Sequence, residues 1–334
     1  MTDEALPIGL SDVEAAAARL ASHRVRTPLL NSAALDDAVG ARVFVKPECL
    51  QRTGSFKFRG AFNRLSMMDD ETRAKGIVAT SSGNHALGIA EAARHFAVPA
   101  TIVMPETAPA TKIERTRAAG ATVMFYRRGV DDRDAIAEHL VAEGGGTYVS
   151  PYDDPGVMAG QGTVGLEIIE DITAHAVTAD HVLVPTSGGG LLSGVATVFH
   201  AAMPDAAILP CEPEGFDDTC RSLRSGRREH NQQATGSIAD SLLSERPGRI
   251  TFAVTSQLAQ PGYAVSDAAM REAMAFAARE LKLVLEPGGA IALAAALTNA
   301  ADFAGQTVVV VLTGGNVDPA LFAATLAAPS KNAA

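Results

Sequence analysis

Gly76-Ile77-Val78-Ala79-Thr80-Ser81-Ser82-Gly83-Asn84-His85 leads from an apolar run of strand length into a loop of small polar residues, and a helical pattern follows from Ala86 to Phe96. The step then repeats. Pro99 to Met104 reads as a strand, Thr111 to Ala119 as a helix and Ala121 to Tyr126 as another strand. Two strand–helix–strand steps within about 50 residues predict parallel pairing, because parallel strands need long crossover connections. Gly144-Gly145-Gly146 interrupts the pattern. It resumes with a helix Gly160 to Asp171, a strand His181 to Pro185, a helix Leu191 to Ala202 and a strand Ala207 to Pro210. Alanine-rich helices over 267–281 and 288–299 and a strand Thr307 to Leu312 close the series. Upstream, residues 41–47 alternate like a strand that stops at a proline, and Ser11-x-x-Glu14 is a capping box in front of a helical run Ala15 to Leu20. Residues 224–236 read as an exposed polar loop. The pattern predicts an α/β fold of two doubly wound open sheet lobes.

Composition narrows the function. The chain has 334 residues, 47% hydrophobic and 20% charged, which suits a folded globular protein and argues against disorder. A formal charge of −10 argues against nucleic acid or an anionic membrane as partner, and the absence of tryptophan argues against base stacking. The longest apolar runs, such as Val308 to Leu312, are too short to cross a bilayer. The amino-terminal residues, with Asp3 and Glu4, do not read as a signal peptide. Cys49, Cys211 and Cys220 lack metal-type spacing and are odd in number, so a reducing, cytoplasmic location is expected.

Three strand ends carry small-residue loops: Thr80 to His85, Thr186-Ser187-Gly188-Gly189-Gly190, and Thr313-Gly314-Gly315-Asn316. In open α/β sheets ligands sit beyond the carboxyl ends of strands, so three such loops predict one shared crevice. Bare backbone lets N–H groups approach an anion, and a helix N-terminus adds partial positive charge. The triglycine loop is therefore a candidate phosphate cradle and the Ser-Ser-Gly-Asn-His loop a candidate carboxylate holder. Each loop alone is also what a tight strand-to-helix turn requires. Ser55-Phe56-Lys57-Phe58-Arg59-Gly60-Ala61 sets Lys57 between two phenylalanines at the start of a helix-like run. A lysine drawn out of water loses proton affinity and becomes an amine able to form a Schiff base. A snorkelling lysine at a helix start has the same local sequence.

These stretches, with Ala159-Gly160-Gln161-Gly162-Thr163 and Glu286-Pro287-Gly288, occur in the order seen in pyridoxal-phosphate enzymes of fold type II. From about residue 8 to residue 322 the chain resembles serine/threonine dehydratases and serine racemases. The resemblance implies a tryptophan synthase β-like fold with the cofactor in the cleft between the lobes. It implies a large cofactor-binding domain of residues 1–72 and 152–324, a small mobile domain of 73–151, a tail of 325–334, and a homodimer. Pyridoxal 5'-phosphate would be held by Lys57, which would later take the substrate α-proton. Phe56 and Asn84 would flank the ring and its hydroxyl, Ser187, Gly188, Gly189, Gly190 and Leu191 the phosphate, and Thr313 the pyridine nitrogen, with Glu286 also at the cofactor. A neutral hydroxyl at Thr313 does not hold a proton on the ring as a carboxylate would, which favours loss of a β-leaving group over transamination.

Ser81, Ser82, Gly83, Asn84 and His85 would meet the substrate. Ser82 matches the position that serves racemases as acid/base on the opposite ring face, and in a dehydratase it would bind the substrate carboxylate. The segment from Cys211 to Asp218 resembles the family's divalent-cation site. Carboxylates of Glu212 and Asp218 and the Phe216 carbonyl are hard ligands suited to Mg²⁺, or to Ca²⁺ or Mn²⁺; a solvated acidic loop has the same composition. The implied activity is α,β-elimination of water from the small β-hydroxy amino acids L-threonine or L-serine, giving a 2-oxo acid and ammonia. A 3-hydroxyaspartate dehydratase is the alternative: Arg133 lies near the position that reaches a second carboxylate, although Asp131, Asp132 and Asp134 also suit a solvated helix start. Serine racemization with side dehydration is less well matched, since residues 239–243 depart from the racemase pattern, and Leu87 in place of a common glutamine argues against regulation by ATP. A non-catalytic nucleotide-binding α/β protein is the reading from another class.

Overall fold

Strand β10 (Thr307–Leu312) shows why the chain builds layers. Val308 to Leu312 are all fully buried, as an unbroken apolar strand must be when helices cover both faces of a parallel sheet. The computed structural model describes residues 6–81, 83–108, 110–127 and 130–328. Among these residues ten strands form two separate sheets. The larger contains β1 (Leu30–Asn31), β2 (Arg42–Pro47), β7 (His181–Pro185), β8 (Ala207–Pro213), β9 (Tyr263–Val265) and β10, in the order β1-β2-β10-β7-β8-β9. Only β1 runs antiparallel to its neighbour. Val308, Val310 and Leu312 point into one core, against the helices Asp267–Phe276 and Pro287–Thr298. Val309 and Val311, on the opposite side of the pleat, pack against the helices Pro155–Ala174 and Gly190–Ala202.

The smaller sheet contains β3 (Ile77–Thr80), β4 (Ala100–Pro105), β5 (Thr122–Tyr126) and β6 (Thr147–Tyr148), all parallel, in the order β5-β4-β3-β6. Ile77, Ala79, Ile102 and Met104 face the helices Lys57–Ser66 and Asn84–Phe96, while Val78 and Val103 face the helix Arg133–Gly144. The two-lobed α/β expectation thus holds.

The helices meet along glycine seams. A Cβ on Gly160 would lie 2.6 Å from the Arg59 carbonyl oxygen and 2.7 Å from Gly60 Cα, and one on Gly194 2.5 Å from the Gly162 nitrogen. That demand for close approach explains a helix from Pro155 to Ala174 with four internal glycines, five residues longer at its start than its sequence suggested.

Other boundaries differ too. The first helix is capped by Gly9, whose amide donates to Asp12 Oδ2 at 2.8 Å, so Ser11 and Glu14 form no capping box. Strand β8 continues to Pro213 and carries Glu212 with it. The helix expected over 267–281 ends at Phe276 and widens into a π-turn, Ala277–Leu281. Among the described residues no helix is long and apolar enough to cross a membrane.

Candidate active site

Beyond the carboxyl ends of β2, β3, β7 and β10 lies one cavity of about 650 Å³, and the segments that follow these strands supply Lys57, Ser81, Gly188 and Thr313 to its wall. Lys57 opens its helix. Its Nζ donates to the Pro151 carbonyl at 2.7 Å and stands 5.2 Å from the centre of the Phe56 ring. Burial lowers its pKa to about 8, which leaves a usable fraction of neutral amine near neutrality.

Several contacts fix this segment. The Phe56 amide donates to the Thr313 carbonyl at 3.2 Å. Two residues beyond Lys57, the fully buried Arg59 bonds Glu48 (2.7 Å) and Glu167 (2.9 Å), and the buried Lys46 also reaches Glu167 at 2.8 Å. Burial pushes the Glu167 carboxyl up, but Arg59 and Lys46 outweigh it and hold its pKa to about 2. A Cβ on Gly88 would lie 3.0 Å from the Lys57 carbonyl oxygen, so the Asn84 helix packs directly on this turn.

The glycine loop faces Lys57 across the cavity. Gly189 has φ +95°, and the helix Gly190–Ala202 begins with N–H groups that have no partner within the helix. A Cβ on Gly188 would fall 2.3 Å from the Tyr152 ring, so no side chain fits there. The Thr251 hydroxyl donates to the Gly188 carbonyl at 2.6 Å, and Ser187 Oγ accepts from the Ser244 amide at 3.1 Å. Leu191 is buried in the first turn of that helix.

On the third side, the Ser81 amide donates to the Val103 carbonyl, and Ser81 Oγ accepts from the Gly83 amide at 3.1 Å. Asn84 Nδ2 donates to Glu286 Oε1. Glu286 is buried, its Oε2 has no hydrogen-bond partner among the described residues, and burial raises its pKa against the pull of Lys112 and Asn84. His85 Nε2 meets the Val149 carbonyl at 3.1 Å. Burial, helped by the charge of Lys57, depresses its pKa to about 3. The ring is therefore neutral, Nε2 carries the proton, and buried Nδ1 keeps a lone pair. Thr313 is buried, with its hydroxyl 3.5 Å from the Gly288 carbonyl oxygen. Ser82 lies outside the described residues.

Arg133 opens the helix Arg133–Gly144. Its side chain is 52% exposed and 3.4 Å from Asp134, yet it also lines the cavity beside Tyr126 and Tyr152. Lys112 was not singled out by the sequence. It is buried in the cavity wall, 2.8 Å from Asp240, and its Nζ would be 3.7 Å from a Cβ on Gly83.

Behind the cavity, Glu212 accepts from the Thr219 amide (3.0 Å) and the Cys220 amide (2.8 Å). Asp218 Oδ1 accepts from Asn231 at 2.6 Å, and its buried Oδ2 has no partner among the described residues. Both carboxylates are fully buried, which rules out the solvated-loop alternative and raises both pKa values; the negative charge of Asp218 adds to the effect at Glu212. The Phe216 ring is buried beside them. No group of three or more histidine, cysteine or acidic residues with metal-binding geometry exists among the described residues, so a cation here would need backbone carbonyls and water as further ligands.

A buried amine of lowered basicity opposite a bare-backbone anion cradle is a donor set that fits pyridoxal 5'-phosphate. Comparison with known proteins agrees. The model of the family "Pyridoxal-phosphate dependent enzyme" matches residues 20–314. An L-threo-3-hydroxyaspartate ammonia-lyase from Pseudomonas sp is 45% identical over 94% of this chain and 97% of its own. A threonine deaminase structure from T.th. superposes with a TM-score of 0.88 at 41% identity, covering 93% of this chain and 99% of that one. The maize serine racemase structure gives 0.89 at 36% identity, over 96% and 97%. With its cavity, lysine and glycine cradle in this setting, the chain belongs to the pyridoxal-phosphate dependent enzyme family.

Proposed function

We propose that this chain is an ammonia-lyase that eliminates water from a β-hydroxy-α-amino acid and releases a 2-oxo acid and ammonia. The observation that carries the reading is the buried Lys57 amine facing the Ser187–Leu191 cradle across one cavity. When bound, pyridoxal phosphate supplies the electron sink for the substrate α-carbon. Lys57 holds the cofactor and takes the α-proton at Nζ. Ser187, Gly188, Gly189, Gly190 and Leu191 bind the phosphate. Phe56, Asn84, Glu286 and Thr313 orient the ring. Ser81, Gly83 and neutral His85 shape the carboxylate loop.

L-Serine and L-threonine carry the groups this scheme needs. Lys57→Ala is expected to abolish 2-oxo acid release and the borohydride-trapped cofactor adduct; retention of full activity would refute the assignment.

A second reading, L-threo-3-hydroxyaspartate as preferred substrate, is favoured by Arg133 in the cavity wall and by the name of the Pseudomonas relative. A guanidinium bound to a second carboxylate is worth about 2 kcal/mol. Arg133→Met should then lower kcat/KM for the dicarboxylate by about thirtyfold and leave L-serine within about threefold. Equal losses on both would dismiss Arg133 as the selector.

Asp218 Oδ2, which has no hydrogen-bond partner among the described residues, fits a divalent cation such as Mg²⁺ held with Glu212 and the Phe216 carbonyl. In that role the ion is structural, and the cation should raise Tm in wild type but not in Asp218→Asn. To the same proposal belong a cytoplasmic homodimer, with three free cysteines, and a body of residues 1–72 and 152–324 that closes on 73–151 and ends in a short tail, 325–334.

A further inference from the structure

Asn316 stands at the junction of four segments and has no role in the scheme above. Arg115, on the helix Ala110–Ala118, donates from Nη1 to Asn316 Oδ1 at 2.6 Å. A guanidinium can only donate, so this contact decides which end of the Asn316 amide is oxygen. Asn316 Nδ2 consequently faces the other way, donating to the Thr53 carbonyl at 2.8 Å and to Asn84 Oδ1 at 2.7 Å. With its own oxygen taken, Asn84 turns Nδ2 to Glu286 Oε1 and toward the cavity it lines. A second, independent feature marks the same junction. Thr53 has φ +62° and ψ +6°, a left-handed conformation that a β-branched residue adopts only under constraint, and it presents to Asn316 the carbonyl that Asn316 captures.

We infer that Arg115 and Asn316 are positioning residues, a relay of amide orientation that makes Asn84 an obligate hydrogen-bond donor toward the ring of the bound cofactor. The inference rests on the proposed cofactor role of Asn84. Each step follows from donor and acceptor inventory: guanidinium to amide oxygen, amide nitrogen to amide oxygen, and amide nitrogen to Glu286 Oε1, with the second Nδ2 hydrogen of Asn84 left for the ligand. Arg115 comes from the lobe of the smaller sheet, so the relay is complete only while that lobe sits against the Thr313–Asn316 loop.

Asn316→Asp tests it with almost no change of shape. The introduced carboxylate still accepts from Arg115 but cannot donate, so Asn84 must turn its NH₂ toward it and present its oxygen to the cavity. Pyridoxal phosphate affinity, titrated into cofactor-free protein, is expected to fall about tenfold, the loss of one buried hydrogen bond, and kcat at saturating cofactor to fall with it. Thr53→Gly in the same chain separates orientation from strain, because glycine adopts the left-handed turn without help. The double variant should recover the thermal midpoint of the cofactor-free protein while its cofactor affinity stays low. Recovery of affinity on adding Thr53→Gly, or wild-type affinity in Asn316→Asp alone, would overturn the relay. Affinity can be read whether or not hydroxy amino acids are turned over, so failure of the proposed substrate class leaves this result interpretable.

Discussion

His85 donates from Nε2 to the Val149 carbonyl and keeps Nδ1 in a buried space as a lone pair, so protonation has no place to put the new N–H. Its pKa of about 3 in the folded chain lies below the unfolded value near 6.5. Below pH 6.5 the unfolded chain takes up a proton that the folded one refuses. The stabilising contribution is therefore complete above pH 6.5 and is lost progressively as pH falls toward 3. Between pH 8 and pH 5 this amounts to about 2 kcal/mol. Urea unfolding of the cofactor-free protein at the two pH values should show wild type losing about that much more than His85→Gln, whose amide can still donate to Val149; parallel losses would remove His85 from the account. At this scale the sequence was informative where neighbours decide environment, as for Lys57 between Phe56 and Phe58. It was silent on Lys112, because the partner that gives Lys112 meaning, Asp240, lies far along the chain and nothing local distinguishes this lysine from any other on an amphipathic helix.

Helices in this fold are placed by what their glycines lack. Gly160 meets backbone atoms of Arg59 and Gly60 that cannot yield, whereas a Cβ on Gly144, the last residue of its helix, meets nothing within 4 Å. Gly160→Ala should cost about 1–3 kcal/mol by overpacking and push the Lys57 helix away from its seat. Gly144→Ala should be neutral or stabilise by about 0.5–1 kcal/mol through reduced freedom of the unfolded chain. Denaturant midpoints of the two variants decide it, and equal stability would mean that the seam is soft. The same seam explains why the start of this helix was not legible. Pro155 and Gly156 read locally as a loop, yet Asp154 caps the helix, Pro155 occupies its first position, and tertiary contact overrides the low helical preference of glycine. Strands β7 and β10 matched to the residue, because short valine-rich apolar runs bounded by polar turns leave little alternative.

The two sheets own separate cores, and the alternation that builds each is local, which is why the two-lobed architecture could be read from sequence while the junction between the lobes could not. One helix, Ala110–Ala118, reaches across that junction with two cations one turn apart: Arg115 to Asn316, and Lys112 to Asp240 at 2.8 Å. Lys112 is buried, but Asp240 is 50% exposed, so solvent screening limits the pair to about 1 kcal/mol. If this contact holds the lobes at the spacing the substrate needs, Lys112→Gln and Asp240→Asn should each raise KM for the hydroxy amino acid about fivefold. The double variant should be no worse than either single one, since the second change removes a contact already lost. About half a molar salt should shrink the wild-type advantage and leave the variants unchanged. Should the two effects instead multiply, Lys112 would be acting on the substrate directly and not through Asp240. The lobe spacing would then have to be set by the Arg115–Asn316 contact and by the direct packing of the Lys57–Ser66 helix into the core of the smaller sheet.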